Sequence, residues 1–309
     1  MFILNFKEKI RSDFIGEVLI YKYHEIQGKI LPKFISDEKA IKKYYKSGTG
    51  KTLDLENPLT FCEKLNWYKL NDRNPLMTKC ADKVGVREYV KENGYENCLN
   101  EIYGVYSDVN DIDVFNLPKK FVIKAAHGTH MQIIVTDKEK LNWKKAKIQI
   151  RNWLKQDIYW RGREWVYKDM PHRIIIEKYL EDESGGLKDY KFFCFNGTPK
   201  FVQVDIGRYK TQHYRNYYDL EWDLMDFTDD EALNNSDTYV EQPKSFDFMI
   251  KIAQDLSKPF QFVRVDFYEV DGKPYLGEMT FYDGGGMVNF IPDKWNKIVG
   301  DYWTLVKRV

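Results

Sequence analysis

The sequence predicts an α+β protein in which helices flank mostly antiparallel sheets, with a helical cap at the N-terminus. Three observations favour this fold class. Apolar residues recur at helical spacing early in the chain, and short apolar runs separated by polar turns begin near residue 117. Asn196-Gly197 and Asp271-Gly272 each lie between alternating runs, and such dipeptides favour tight turns between antiparallel strands.

Composition limits the classes of function. The chain has 309 residues, of which 43% are hydrophobic and 16% aromatic, enough to bury a sizeable core. Lys and Arg total 48 against 47 Asp and Glu, so no charge excess would attract nucleic acid, and no nucleic-acid partner is expected. The four cysteines are scattered without a C-x-x-C pair, which favours a reducing, cytoplasmic location.

Residues 1–76 are predicted to form the helical N-terminal region. Apolar residues recur about every four positions from Phe2 to Ile26, which indicates an amphipathic helix. We expect this helix to pack on its own domain, with membrane contact at most peripheral. A loop is expected from Lys46 to Pro58, and a second helix from Thr60, whose hydroxyl can cap it, through Leu70.

The stretch Ser47–Thr52, with sequence SGTGKT, resembles a phosphate-binding P-loop in composition but not in spacing. The P-loop pattern needs a glycine five positions before Gly50, where this chain has Tyr45. The preceding residues form a charged helical run and not a buried strand. We therefore expect a loop without a phosphate-binding role.

Residues 77–118 are predicted to form a linking subdomain. A helix is expected from Lys79 to Asn93, with Gly94 ending it. Its apolar face would consist of Val84, Val86, Tyr89 and Val90.

Residues 119–180 are predicted to form a lid subdomain around a strand–loop–strand unit. The runs 121–123 and 133–135 are apolar and flank a polar turn that contains glycine. A helix is expected from Lys138 to Gln156, and Ile174–Ile176 has the composition of a buried strand.

Residues 181–309 are predicted to form the C-terminal catalytic subdomain, which contains two hairpins. The first spans Lys191 to Ile206 and turns at the Asn-Gly dipeptide. A helix is expected from Ser245 to Leu256. The second hairpin pairs Gln261–Val270 with Pro274–Phe281 and turns at the Asp-Gly dipeptide.

The second hairpin carries one carboxylate on each strand, Asp266 and Glu278. Mg²⁺ commonly takes one or two carboxylates together with nucleotide phosphates, so this pair suits a Mg-ATP site. Strand side chains alternate between faces, so the two acids face each other only across an odd turn such as Asp271-Gly272-Lys273. A two-residue turn without a bulge would separate them. An ordinary hairpin with surface charges explains the same residues equally well.

Two further segments carry candidate nucleotide-binding groups. Lys124 ends an apolar strand, and the turn from Ala125 to His130 offers backbone N–H donors for phosphate. The turn histidines lack a third metal ligand, so phosphate contacts or loop roles are favoured over metal binding. Glu177 ends the run Ile174–Ile176, which suits an adenine slot as well as a core strand that reaches solvent.

Taken in order, these pieces resemble the ATP-grasp superfamily, and residues from about Pro58 to Trp303 resemble its TupA-like branch, which is found in bacterial polysaccharide gene clusters. The segments that carry the resemblance are Pro58–Phe61, Lys64-Leu65, Ala81–Lys83, Arg87–Val90, Asp189–Gly197, Arg264–Tyr268 and Gly277–Tyr282.

The resemblance implies an ATP-grasp fold and a role for each matching residue. Arg264 and Lys124 would be catalytic, and Asp266, Glu278 and Thr280 would bind Mg²⁺. Many relatives have asparagine at the position of Thr280. The residues implied to bind ATP are Lys83, Lys124, His127, Gly128, Thr129, His130, Glu177, Lys178, Leu180, Asp189 and Lys191.

Substrate contacts are expected from the glycine run and from an aromatic, cationic segment between Arg208 and Trp222. Glycines let backbone approach an acyl group, and aromatic faces with cations suit an anionic sugar such as a uronic acid. A folded hairpin explains the aromatic segment about as well. The candidate substrate residues are Arg208, Arg215, Tyr282, Gly284 and Gly285.

The resemblance implies a ligase that uses ATP and Mg²⁺ to convert a carboxylate into an acyl phosphate, which an amine then attacks. The carboxylate would belong to a uronic acid, carried as a small molecule or nucleotide sugar, or to an amino acid, in surface polysaccharide synthesis. Two alternatives stay open. One is a glycosyltransferase with Asp266 as metal ligand, and the other is an ATP-binding protein without catalysis, suggested by Thr280 and His130.

Overall fold

The computed structural model describes residues 35–181, 187–207, 213–230, 233 and 240–308. Two antiparallel sheets and flanking helices make up this part of the chain, which confirms the predicted α+β class. The helix expected from Phe2 to Ile26 and the candidate substrate residue Arg208 lie outside the described residues. Within them, no helix has the length and apolar character needed to cross a membrane.

Four helices precede the first sheet in the described residues. The predicted capping of the second helix is confirmed, because the Thr60 hydroxyl accepts from the backbone N–H of Glu63 while the Glu63 carboxylate accepts from the backbone N–H of Thr60. These helices are α1 Asp37–Thr49, α2 Phe61–Asn71, α3 Pro75–Ala81 and α4 Gly85–Glu92.

The P-loop-like stretch is the end of α1 and its cap. Gly50 has a left-handed conformation with φ of 72°, and its N–H donates to the carbonyl of Lys46. Helix α1 therefore extends into the region predicted to be a loop, which begins at Gly50. Lys51 pairs with Asp293 at 2.8 Å.

The single helix predicted from Lys79 to Asn93 is wrong, because the chain breaks between α3 and α4. Asp82 is extended, with φ of −76° and ψ of 122°, and its carboxylate accepts from the N–H of Val84. The N–H of Lys83 donates to the carbonyl of Ala126 in the neighbouring sheet. This tertiary bond replaces a helical one and brings Lys83 against the first sheet.

The first sheet has four antiparallel strands in the order β1-β4-β2-β3. The strands are β1 Ile102–Tyr106, β2 Phe121–Ala125, β3 Gln132–Val135 and β4 Ile174–Lys178. The helix predicted from residue 138 begins at residue 143, because Asn142 caps it after a short 3-10 turn. It is α5 Trp143–Leu154, and α6 Tyr159–Gly162 follows.

The second sheet has five antiparallel strands in the order β7-β6-β5-β8-β9. Both predicted hairpins are confirmed here. The strands and helices are β5 Asp189–Phe195, β6 Thr198–Ile206, β7 Tyr214–Tyr218, α7 Phe246–Ser257, β8 Phe262–Val270, β9 Lys273–Thr280 and α8 Lys294–Asp301.

Two hydrophobic clusters stabilise the described residues. One underlies the four-stranded sheet, and it includes Phe121, Ile150 and Ile176. The other joins the five-stranded sheet to the N-terminal helices, where Phe61 of α2 packs edge-on against Phe262 with ring centroids 5.2 Å apart. Helix α2 is therefore anchored to the same core as the strands that carry the candidate carboxylates.

The last hairpin turns through two residues, Asp271-Gly272, with φ angles of 52° and 76°. The odd turn that was expected if Asp266 and Glu278 face each other is therefore wrong. The two acids are nevertheless paired across the strands, because a β-bulge at Gly277 adds one residue to β9. A bulge changes the register as an odd turn would.

Candidate active site

The candidate site is a cleft between the two sheets. It consists of two adjoining cavities of about 370 and 390 Å³ that share lining residues from both sheets. Lys124 and Gln132 come from the first sheet, and Asp189 and Tyr268 come from the second. We call the first the polar cavity, because charged side chains surround it, and the second the apolar cavity, because Val122, Ile134 and Leu276 line it.

Most of the predicted site residues meet in this cleft. Those that line the polar cavity are Lys83, Lys124, Gly128, Thr129, His130, Asp189, Lys191, Arg215, Arg264, Asp266, Glu278, Thr280, Tyr282, Gly284 and Gly285. Those that line the apolar cavity are Lys124, Glu177, Lys178, Leu180 and Asp189.

Arg264 stands at the centre of the acidic end of the polar cavity. Its Nε and Nη2 atoms donate to the two oxygens of Asp266 at 2.8 and 2.6 Å, and Nη1 pairs with Asp283. Nη2 also lies 3.6 Å from Glu278 and 3.3 Å from the Thr280 hydroxyl. One guanidinium therefore orients three carboxylates and the hydroxyl of Thr280.

The two candidate metal ligands have opposite pKa shifts. Burial raises the pKa of Asp266 to about 6, although Arg264 opposes this effect. Burial also raises the pKa of Glu278, but the positive charges of Lys83, Arg264 and Lys124 outweigh it and lower that pKa to about 2. Glu278 is therefore ionised at neutral pH and available to a cation.

The oxygen atoms at this end suit a magnesium ion. Within the described residues, no three His, Cys, Asp or Glu side chains converge as a complete metal cluster. Mg²⁺ does not need such a cluster, since it commonly keeps water and takes one or two carboxylates plus substrate phosphates. The facing carboxylates of Asp266 and Glu278 supply hard oxygen ligands of this kind, so the residues present fit the ion.

Two lysines form the opposite wall of the cleft. Lys83 donates to the carbonyl of Gly128 at 2.8 Å and lies 3.5 Å from Glu278. Lys124 pairs with Glu177 at 2.7 Å, and both side chains are largely buried. The break between α3 and α4 makes the Lys83 position possible, so the unpredicted backbone feature contributes directly to the site.

The turn between β2 and β3 covers the polar cavity. Gly128, Thr129 and His130 line it, and His130 has a left-handed φ of 57°. The structure does not bring His127 into either cavity. His127 is buried behind the turn, stacks on His172 at 4.3 Å and bonds to the carbonyl of Trp153.

The candidate substrate residue Arg215 belongs to a charge network on β5, β6 and β7. Its Nε donates to the fully buried Asp205 at 2.8 Å, and its Nη1 donates to Asp229 at 2.8 Å. Asp205 also accepts from Lys191 and from Gln203. Arg215 therefore has two acidic partners already, which reduces its capacity to neutralise an anionic sugar.

The glycine turn after β9 is bonded by a buried lysine of α2. Gly284 and Gly285 have φ angles of 52° and 63°, which residues with a Cβ adopt only with strain. Lys69 of α2 donates to the carbonyls of Gly285 at 2.6 Å and Gly162 at 3.2 Å. Helix α2 thus connects the glycine turn to the C-terminal end of α6.

Sequence reasoning missed several polar residues that line the cleft. Asp283 directly precedes the glycine run and directly follows the predicted Tyr282, so its position was a usable signal. Glu164 and Tyr167 lie in an irregular segment without a motif, and only the fold brings them to the polar cavity. The other missed lining residues include Gln203 and Asp229.

Two antiparallel sheets with a nucleotide-sized cleft between them, lysines on one wall and facing carboxylates on the other, are the arrangement of an ATP-grasp protein. The model of the TupA-like ATP-grasp family matches residues 63–304. The chain belongs to that family.

Several solved structures with detectable similarity are ligases by their titles. The D-alanine–D-alanine ligase from Bacillus anthracis is 18% identical over 72% of this chain and 63% of its own, with a TM-score of 0.43. The L-amino acid ligase from Bacillus licheniformis is 14% identical over 70% and 47%, with a TM-score of 0.43. The D-alanine–D-alanine ligase from Helicobacter pylori is 14% identical over 82% and 69%, with a TM-score of 0.44.

The chain spans less than two thirds of the length of the first two of these structures. Comparison with curated proteins finds no match.

Proposed function

We propose that this protein is an ATP-dependent carboxylate–amine ligase that forms an amide through an acyl phosphate. The observation that carries the proposal is the cleft itself. The basic residues Lys83 and Lys124 lie across it from Asp266 and Glu278, and an apolar cavity adjoins this polar one. Membership of the TupA-like ATP-grasp family supports the same reading.

The apolar cavity suits the adenine of ATP. Its walls of Val122, Ile134 and Leu276 offer flat apolar surface, and Glu177 and Lys178 stand at its edge. The Lys178 carbonyl already accepts from the Asn100 amide at 2.8 Å, which holds this edge of β4 in place. The phosphates would then extend into the polar cavity.

In the polar cavity, Lys83 and Lys124 would neutralise phosphate oxygens, and the turn from Gly128 to His130 would cover them. Asp266 and Glu278 would hold Mg²⁺, which supplies charge neutralisation on the transferred phosphoryl group. Arg264 lies beside these ligands. Its guanidinium would stabilise negative charge on the acyl group when the amine attacks.

The biological setting that we propose is surface polysaccharide synthesis, which rests on the resemblance to the TupA-like branch. The acyl donor would be a uronic acid, free or carried on a nucleotide, or an amino acid. All four cysteines, Cys62, Cys80, Cys98 and Cys194, are buried free thiols, which supports a reducing cytoplasmic location.

The test is release of ADP from Mg-ATP in the presence of nucleotide-linked uronic acids or amino acids together with small amines. We expect release that requires both a carboxylate and an amine. Glu278→Gln keeps the shape of the side chain and removes its charge, so turnover should fall by roughly 100-fold or more. Glu88→Gln, on an exposed face of α4, is the control and should keep wild-type turnover.

Release of UDP or another nucleoside diphosphate from a nucleotide sugar, without any need for ATP, would contradict the ligase and favour a glycosyltransferase. Tight nucleotide binding without turnover across the whole panel would instead favour an ATP-binding protein that has lost catalysis.

A further inference from the structure

One carboxylate of the polar cavity has no role in the arrangement described so far. Glu164 precedes the short 3-10 turn Trp165–Tyr167 and lines the cavity beside Gly284 and Gly285. A Cβ placed on Gly285 would lie 3.5 Å from its Oε1 atom, so the carboxylate stands against the glycine turn. It is separate in sequence from the candidate metal ligands on β8 and β9.

Among the described residues, no ion pair or hydrogen bond engages the Glu164 side chain. The cation whose charge reaches it is Lys69, but the ammonium of Lys69 donates to the carbonyls of Gly162 and Gly285. Burial raises the pKa of Glu164, with Lys69 in opposition. A carboxylate in such a place is stabilised when a cation enters the cavity.

The surroundings of Glu164 suit a small cation. Tyr167 and Tyr282 line the same cavity as Glu164. Burial raises the pKa of both phenols, and the charge of Glu164 adds to that effect. Glu278 lines this cavity too, and its charge also raises the pKa of Tyr167. Aromatic rings beside a carboxylate are favourable to an ammonium group.

The backbone around Glu164 is held by contacts with residues that are distant in the sequence. The preceding residue, Arg163, is buried with a left-handed φ of 55°. Its guanidinium pairs with Asp37 of α1 at 2.9 Å and lies 4.6 Å from the ring of Trp160. Helix α1 therefore holds the segment that presents Glu164, as a preorganised binding group requires.

We propose that Glu164 binds the amine substrate as its ammonium ion and takes up one proton from it. The nucleophile of this ligase is then a primary amine that arrives as a cation, and its neutral form attacks the acyl phosphate and displaces phosphate. The inference rests on the proposed ligase function and names the class of its second substrate. The assignment also gives a role to the carboxylate that forms no ion pair in the cavity. Arg215 is already paired with two aspartates, whereas Glu164 is paired with no cation in the part of the chain that the structure describes.

The test separates amine recognition from acyl phosphate formation. Hydroxylamine is uncharged at neutral pH and converts an acyl phosphate into a hydroxamate and phosphate without needing an ammonium site. Glycine, ethanolamine and L-lysine serve as the cationic amines. Nucleotide-linked uronic acids and amino acids serve as carboxylates, with ADP release and hydroxamate colour as the two readouts.

For Glu164→Gln we expect the KM for the cationic amine to rise roughly 10- to 100-fold, as for the loss of a charged hydrogen bond. The KM for ATP and the rate of hydroxamate formation should change by less than about twofold. Glu164→Asp should recover part of the lost affinity. Asp169→Asn, an exposed acid five residues further along the same segment, is the matched control and should behave as wild type.

An unchanged KM for the amine in Glu164→Gln would overturn this assignment, and so would an equal loss with hydroxylamine and with the cationic amines. Absence of hydroxamate from the wild-type protein with every carboxylate would overturn the proposed ligase and this assignment together. The two failures are therefore distinguishable.

Discussion

At the scale of single residues, Arg264 carries the electrostatic balance of the cleft. It contacts the carboxylates of Asp266, Asp283 and Glu278, and the first two are almost fully buried. Carboxylates taken out of water require a partner cation, because the lost hydration is large. The same guanidinium that we assign to catalysis is therefore also a condition for the site to fold.

The stability consequence is a first prediction. Arg264→Met should lower the free energy of unfolding by about 3 kcal/mol or more, because it removes the cation that pairs directly with the buried carboxylates of Asp266 and Asp283. Adding Asp283→Asn to Arg264→Met should restore part of the loss. Urea denaturation of the single and double variants measures both effects. A loss below about 1 kcal/mol for Arg264→Met would contradict the structural role.

Some site residues could be predicted from sequence because strand-borne charges carry a positional signal. Lys124, Asp266 and Glu278 lie on apolar strands. Because side chains along a strand alternate between the two faces of the sheet, their positions raise the question of which residues share a face. Glu164 carries no such signal. It lies in an irregular segment whose position depends on the Arg163–Asp37 ion pair, a contact between residues more than 120 positions apart.

At the scale of elements, two local breaks determine the site. The bulge at Gly277 brings Glu278 opposite Asp266, and the break after α3 brings Lys83 to the cleft. Turn dipeptides and the Thr60 cap are local signals, so the sequence predicted them well. The bulge and the break depend on tertiary bonds, such as that from the Lys83 N–H to Ala126, so local pattern did not predict them.

The bulge gives a second prediction. A Cβ on Gly277 would lie 3.1 Å from the ring of Tyr268 and 3.3 Å from the carbonyl oxygen of Asp266. Gly277→Val should therefore distort the bulge, destabilise the fold by about 1–3 kcal/mol and greatly reduce ADP release. Thermal unfolding and turnover are measured on the same samples.

Gly94→Ala is the control for this prediction, because Gly94 has a left-handed φ of 82° and open space around it. It should cost about 1 kcal/mol of stability through backbone strain and leave turnover unchanged. Wild-type turnover in folded Gly277→Val would show that the register of β9 does not matter for the site.

A third prediction concerns helix α2, which has two lysines that each donate to two carbonyls. Lys69 joins the C-terminal end of α6 to the glycine turn in the cleft, whereas Lys64 donates to the carbonyls of Gly300 and Trp303 away from the cleft. Lys69→Met should reduce kcat roughly 10- to 100-fold through misplaced substrate groups, with little change in the KM for ATP.

Lys64→Met is the matched control, since it removes the same number of carbonyl contacts from the same helix. Both variants should lose about 1–3 kcal/mol of stability, because carbonyls are left without donors. Steady-state kinetics and thermal unfolding provide the comparison. Equal effects of the two substitutions on kcat would contradict the positioning role of Lys69.

At the scale of the whole molecule, the described residues form two sheets, each with its own hydrophobic cluster, and the cleft lies between them. The N-terminal helices share the cluster of the five-stranded sheet, so α2 links the strands that carry the candidate carboxylates to the glycine turn. The division at residues 76, 118 and 180 stays a prediction. The α+β class and both hairpins followed from sequence, whereas the meeting of the two sheets depends on contacts distant in the chain.

The central claim is that the cleft uses ATP to activate a carboxylate, and oxygen tracing tests it most directly. The protein is incubated with Mg-ATP, an amine and a carboxylate labelled with ¹⁸O in both oxygens, and the released phosphate is analysed by mass spectrometry. An acyl phosphate intermediate predicts that one labelled oxygen moves from the carboxylate to phosphate. Amide formation with unlabelled phosphate would contradict the account.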